Sequence, residues 1–207
     1  LVGLGPAPER AHKVAGSLRT ALHEAGSDTL TLTLFALIAF MDVMVIKHHL
    51  SDAQASLYGR AALVAKSFLY LASALNLVLL PAAARALAAG KDPRGLLLRF
   101  LGAALAVNLV GLAFVWALTP WCLRLLAGPD PIFQTMAPLT RWFSLAVIPL
   151  ALLQLSLAYL LAVRQRGLPA ILAVLALLLW VLLEHSWQDE RLVVAALGGV
   201  SLLGLIL

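Results

Sequence analysis

Residues Thr29–His48 read TLTLTLFALIAFMDVMVIKH, and the fold class turns on this stretch. Leu30, Leu32, Leu34, Phe35 and Leu37 open it, and before Lys47 the only ionisable side chain is Asp42. A hydrocarbon core of about 30 Å is crossed by roughly 20 mostly apolar helical residues, and this run has that length. The same pattern recurs along the chain. Apolar runs at about Leu57–Leu80, Arg94–Leu118, Thr135–Val163, Leu168–Leu183 and Leu192–Leu207 predict five further spans. The last is short for a crossing. The reading is an all-α, polytopic membrane helix bundle of about six transmembrane helices.

Bulk composition agrees. Of 207 residues, 62% are hydrophobic and 12% charged, with a mean hydropathy of +0.97. Soluble domains carry roughly 45–50% apolar and about 25% charged residues. The formal net charge of +5 would prompt a nucleic-acid reading in a soluble protein. Here the basic residues sit between apolar runs, so topology accounts for them and no nucleic-acid partner is expected. The one cysteine, Cys122, excludes an internal disulfide and offers no metal cluster. The chain opens on Leu1 without the apolar core of a signal peptide, which suggests a segment of a longer protein.

Two regions are expected. Residues 1–28 form a polar N-terminal segment in which Arg10, Lys13 and Arg19 alternate with small and apolar positions. Ala11–Ala25 fits either a basic amphipathic helix on the membrane surface or a linker. Residues 29–207 form the six-helix lobe. Its joints are Ser51–Gln54, Gly90–Pro93 (with Asp92 as N-cap and Pro93 at the first helical position), Gly128–Pro131, Arg164–Gly167 and Glu184–Arg191. Pro81 is expected to kink or end the second span, with Ala82–Ala89 able to continue as an interfacial helix, and Pro120 to follow the third, with Trp121–Leu126 as a short interfacial turn. Gly198 and Gly199 would permit close helix contact.

Arg10, Lys13, Arg19, Arg85, Lys91, Arg94, Arg99, Arg164 and Arg166 fall on the side of the N-terminus. Lys47, Arg60, Arg124, Arg141 and Arg191 fall on the other. The first set is larger, so both termini should face the cytoplasm.

The informative residues are charges that a membrane helix disfavours. Asp42 lies well inside the first span and Lys66 well inside the second, with Arg60 nearer its outer end. A charge at the bilayer centre costs about 2.5–3.5 kcal/mol on insertion scales, so it normally faces protein or a wet cavity. If the turn centres near Gln54, Asp42 and Lys66 are equally far from it on antiparallel helices. Lys66 shares a helical row with Gly59, Ala62, Tyr70 and Ser73, a small and polar stripe on an apolar span. Two readings stay open. In one, Asp42 and Lys66 are a structural ion pair. In the other, Arg60, Lys66 and Tyr70 line a cavity that attracts an anionic head group.

Other polar residues are less telling. Asn76, Asn108, Gln154 and Ser156 suit interhelical hydrogen bonds. His48 and His49 lack spaced partners for a metal, and His185 sits with Glu184, Asp189 and Glu190 in a solvated loop. The five tryptophans lie mostly near span ends, as an interfacial belt requires. No nucleotide loop, nucleophile elbow or catalytic pair is present, so neither enzyme activity nor a cofactor is expected.

The run Asp42-Val43-Met44-Val45-Ile46-Lys47-His48-His49-Leu50-Ser51, followed by Ala55-Ser56-Leu57-Tyr58-Gly59-Arg60-Ala61-Ala62, resembles a stretch of bacterial oligosaccharide flippases. Leu79-Leu80-Pro81 with Arg85 beyond it, Tyr159–Ala162 before Arg164, and Glu184-His185-Ser186 before the last span are similar as well. The resemblance extends from about Leu30 onward and points to the multidrug/oligosaccharidyl-lipid/polysaccharide exporter superfamily. It implies one lobe, the second, of a two-lobed exporter in the bacterial cytoplasmic membrane, with the first six-helix lobe as partner. It also implies an undecaprenyl-type lipid-linked glycan as cargo, whose pyrophosphate suits charge-assisted contacts. A drug exporter of the same superfamily with a cation-responsive Asp42, or a non-transporting scaffold for polysaccharide synthesis, are the alternatives.

Overall fold

Long apolar runs give long helices: α1 (Ala7–His49), α2 (Asp52–Ala88), α3 (Arg94–Leu126), α4 (Ala137–Ala162), α5 (Leu168–Ser186) and α6 (Glu190–Ile206). The computed structural model of the chain describes residues 7–126, 128, 135–165 and 167–207. The expectations for Pro129, Asp130, Pro131, Arg166 and the side chains of Arg10, Lys13 and Arg19 lie outside what is described. Helices α1 to α5 are long and apolar enough to cross a membrane. Helix α6, with 17 residues, measures about 25 Å at 1.5 Å per residue, short of the roughly 30 Å core. The chain is a multi-pass, all-α membrane bundle.

The helices end where their caps dictate. Ser51 turns the chain between α1 and α2, and its hydroxyl accepts from the Gln54 N–H. Asp92 accepts from the Arg94 N–H at 3.0 Å, and Asp189 from the Arg191 N–H at 2.9 Å. These side chains satisfy first-turn donors that a helix leaves open.

Three features refine the sequence reading. The backbone of α1 is one helix from Ala7, without a break at residue 28. Thr29, Thr31 and Thr33 follow that junction, and their hydroxyls donate to the carbonyls of Ala25, Ser27 and Thr29, each at 2.8 Å, the first two across it. Polar side chains that bond back along their own helix cost little in lipid, so the polar-to-apolar change in composition does not interrupt it. Second, α2 runs through Pro81 to Ala88, so the expected continuation over Ala82–Ala89 belongs to the same helix. Third, α3 departs from helical dihedrals at Leu118 (φ −117°, ψ 21°), the expected end of the third span, and then resumes as helix to Leu126 in place of the expected turn.

Helix α4 is central and packs on α2, α3 and α6. Helix α1 packs more extensively on α5 than on its sequence neighbour α2. The bundle is therefore two three-helix groups, α1–α5–α6 and α2–α3–α4, joined broadly by α4 against α6 and narrowly by α1 against α2. Close approach depends on particular glycines. A Cβ at Gly198 would meet the Ala146 Cβ at 3.2 Å, and one at Gly204 would meet Leu175 and Leu153 at 3.0 and 3.2 Å. At Gly199 a Cβ would meet nothing within 4 Å, so of the expected pair only Gly198 makes the contact. Gly111 lies under the Phe68 ring, which a Cβ at this position would strike.

Candidate functional site

The first two helices bring Asp42 and Lys66 together. Both are buried, at 0% and 3% exposure. Lys66 Nζ donates to Asp42 Oδ1 at 2.7 Å and Oδ2 at 3.0 Å, and to the Ala39 carbonyl at 2.7 Å. The two oxygens of one carboxylate and a backbone carbonyl thus hold the ammonium from two sides. The Phe40 and Phe143 rings lie 5.2 and 5.3 Å from Nζ, within cation–π range. Asp42 gains one more partner: the Tyr58 hydroxyl donates to Oδ2 at 3.1 Å. Tyr58 is itself fully buried, edge-on to Phe143 at 5.4 Å between centroids. The charge pair is thus satisfied from α1, α2 and α4 at once, which removing two ions from a high-dielectric solvent requires.

This geometry does not place Arg60, Lys66 and Tyr70 on one open wall. Lys66 is buried and held by Asp42 and the Ala39 carbonyl, so it is not open to an anionic head group. Tyr70 is 55% exposed on the outer surface. Arg60 is half-buried and already engaged with the protein. Tyr58 escaped the residue-by-residue reading, although Tyr58, Ala62 and Lys66 recur every fourth position and so share one face of α2.

The remaining polar residues behave unevenly. Gln154 accepts from the Ser73 hydroxyl across α4 and α2 at 3.0 Å. Asn108 instead donates to the Ala104 carbonyl of its own helix, and Asn76 Oδ1 is buried without a hydrogen-bond partner. At the end of the bundle that carries the α1–α2 turn, His49 and Glu184 share a 2.9 Å contact, and Trp187 stacks on His49 with centroids 4.9 Å apart. Glu184 is therefore held by α1, not free in a loop. Their separation of 135 residues leaves no local signal in the sequence. Among the described residues no group of three histidine, cysteine or acidic side chains is placed to hold a metal ion.

Three apolar grooves open on the outer surface. One, of about 540 Å³, runs between α1 and α5 with Glu184 and His48 in its lining. Another, of about 670 Å³, runs between α4 and α6 with Arg191 in its lining. The third, of about 490 Å³, lies between α2 and α3 around Phe68 and Gly111. None of the three is lined by Arg60, Lys66 or Tyr70. No protein-family profile, curated protein or solved structure matches the chain.

Proposed function

We propose that the chain is a membrane-embedded lobe of a larger transporter that flips a lipid-linked oligosaccharide or polysaccharide precursor across the bacterial cytoplasmic membrane by alternating access. One observation carries this reading: a complete ion pair, Asp42–Lys66, fastens α1 to α2 at a depth where insertion alone disfavours either charge. Asp42 opens the run that resembles oligosaccharide flippases, and Lys66 follows its second half, four residues beyond Ala62. The pair spans the narrow junction between two three-helix groups, and transporters work by moving one helix group against another. A polar clasp at a thin junction has two discrete arrangements, made and broken, which is what such a movement needs. Both termini face the cytoplasm in this reading. With the clasp made, Lys66 is a positioning residue and not a ligand for pyrophosphate. Asp42, held by Lys66 and Tyr58, is equally closed to a cation, so the geometry favours no ion-driven drug export over this reading.

The test is deletion of the gene in its host, with lipid-linked glycan measured in each leaflet of the membrane. Glycan should accumulate on the cytoplasmic leaflet and redistribute when the gene is restored. Unchanged glycan with raised sensitivity to small toxic molecules would transfer the assignment to drug export. Loss of glycan synthesis itself would make the protein a scaffold.

A further inference from the structure

The groove between α4 and α6 differs from the other two in what stands at its mouth. Its walls are apolar and small: Ala146, Ile148 and Pro149 from α4, and Ala195, Gly199 and Leu202 from α6. Gly199 opens it, because no atom lies within 4 Å of where its Cβ would be. At one end sit Arg191, on the first turn of α6, and Trp142, on the first turns of α4 and 54% exposed. Arg191 is exposed and makes no ion pair among the described residues. The neighbouring Asp189 carboxylate caps the helix by accepting from the Arg191 N–H. Burial and the Asp189 charge push the Glu190 carboxyl above its ordinary value. The α1–α5 groove, at the same end of the bundle, has acidic Glu184 there instead.

From Arg191 to Leu202 the groove follows α6 for about 16 Å at 1.5 Å per residue. That is about half of a 30 Å hydrocarbon core, the depth of a single leaflet. Its volume of about 670 Å³ falls in the range of roughly 300–1,000 Å³ typical of small-molecule sites. A guanidinium grips phosphate oxygens in a planar fork, and tryptophan favours the head-group level.

We infer that this groove is a binding site for one phospholipid of the adjacent leaflet, with an acyl chain between α4 and α6 and its phosphate on Arg191. The site lies apart from the Asp42–Lys66 clasp and does not depend on the transport reading.

The full chain, purified in mild detergent, is mixed with phosphatidylglycerol or with diacylglycerol of the same chains, and retained lipid is counted by native mass spectrometry. One phosphatidylglycerol should be held in preference to diacylglycerol. Arg191→Gln should lower its occupancy about tenfold and abolish the preference, while Arg124→Gln, at the same end but outside the groove, should leave both unchanged. Gly199→Leu should reduce occupancy by filling the groove. Equal retention of the two lipids by the unsubstituted chain would overturn the proposal. So would equal losses from Arg191→Gln and Arg124→Gln, which would mean that any surface cation suffices. Should Gly199→Leu fail to fold, the arginine comparison still decides.

Discussion

At the scale of single residues, Lys66 and Asp42 are held so completely that removing either leaves an uncompensated charge in a dry place. Breaking a buried pair in this way costs about 3–5 kcal/mol, whereas neutralising both partners costs far less. Lys66→Gln and Asp42→Asn should each lower membrane abundance and the denaturation midpoint in detergent, and the double substitution should recover most of the loss. Additive losses in that cycle would show that the two side chains act separately. Tyr58→Phe removes a single bond to a charged acceptor, so its loss should be smaller, about 1.5–3 kcal/mol. Glu190 gives a prediction in pH. Burial first, and Asp189 second, raise its carboxyl above the ordinary value, against the pull of the α6 N-terminus toward the ionised form. A carboxyl raised in the folded state is destabilising once ionised, so the penalty is absent below the ordinary carboxylate range and complete above the raised value. Glu190→Gln should therefore raise the thermal midpoint at neutral pH, and the gain should vanish in acid. A gain of equal size in acid would rule out ionisation as its origin.

Among the elements, the crossing of α2 and α3 depends on Gly111, whose missing side chain makes room for Phe68. Phe68 in turn stands edge-on to Phe114, centroids 6.4 Å apart. Overpacking of a filled contact costs about 1–3 kcal/mol. Gly111→Val should thus lower thermal stability by that amount, and pairing it with Phe68→Ala should relieve part of the loss. A stable Gly111→Val protein would mean that the two helices separate freely. This glycine could not be singled out in the sequence, since it sits in an apolar run with no cap or turn signal. The helices themselves were legible because length and hydropathy alone determine them in lipid. The union of the second span with Ala82–Ala88 in one helix through Pro81 was not, because the carbonyl that proline frees can be satisfied in ways that are not written locally. Asp42 and Lys66 were legible as a pair by their equal distance from a short turn. What surrounds Lys66 was not, since Phe143 arrives from α4, far along the chain.

For the whole molecule, alternating helix directions put Lys91 and Asp189 at opposite ends of the bundle, because α1 with α5, and α4 with α6, run the same way. The native Cys122 is buried, which leaves a low background for labelling. In intact cells, a membrane-impermeant maleimide should modify Asp189→Cys and spare Lys91→Cys until the membrane is permeabilised. Modification of both from outside would defeat the topology, and the reverse pattern would invert it. The uneven joining of the two helix groups, broad at α4–α6 and narrow at α1–α2, could not be foreseen from hydropathy, which reports depth and not neighbours. The clasp also bears on how the protein is made. Asp42 precedes Lys66 by 24 residues, and ribosomes add about 5–20 residues each second. For about 1–5 s after Asp42 is synthesised its counter-ion does not yet exist, so the nascent first helix has reason to wait at the mouth of the insertion channel until the second arrives and the two enter lipid as a neutral hairpin.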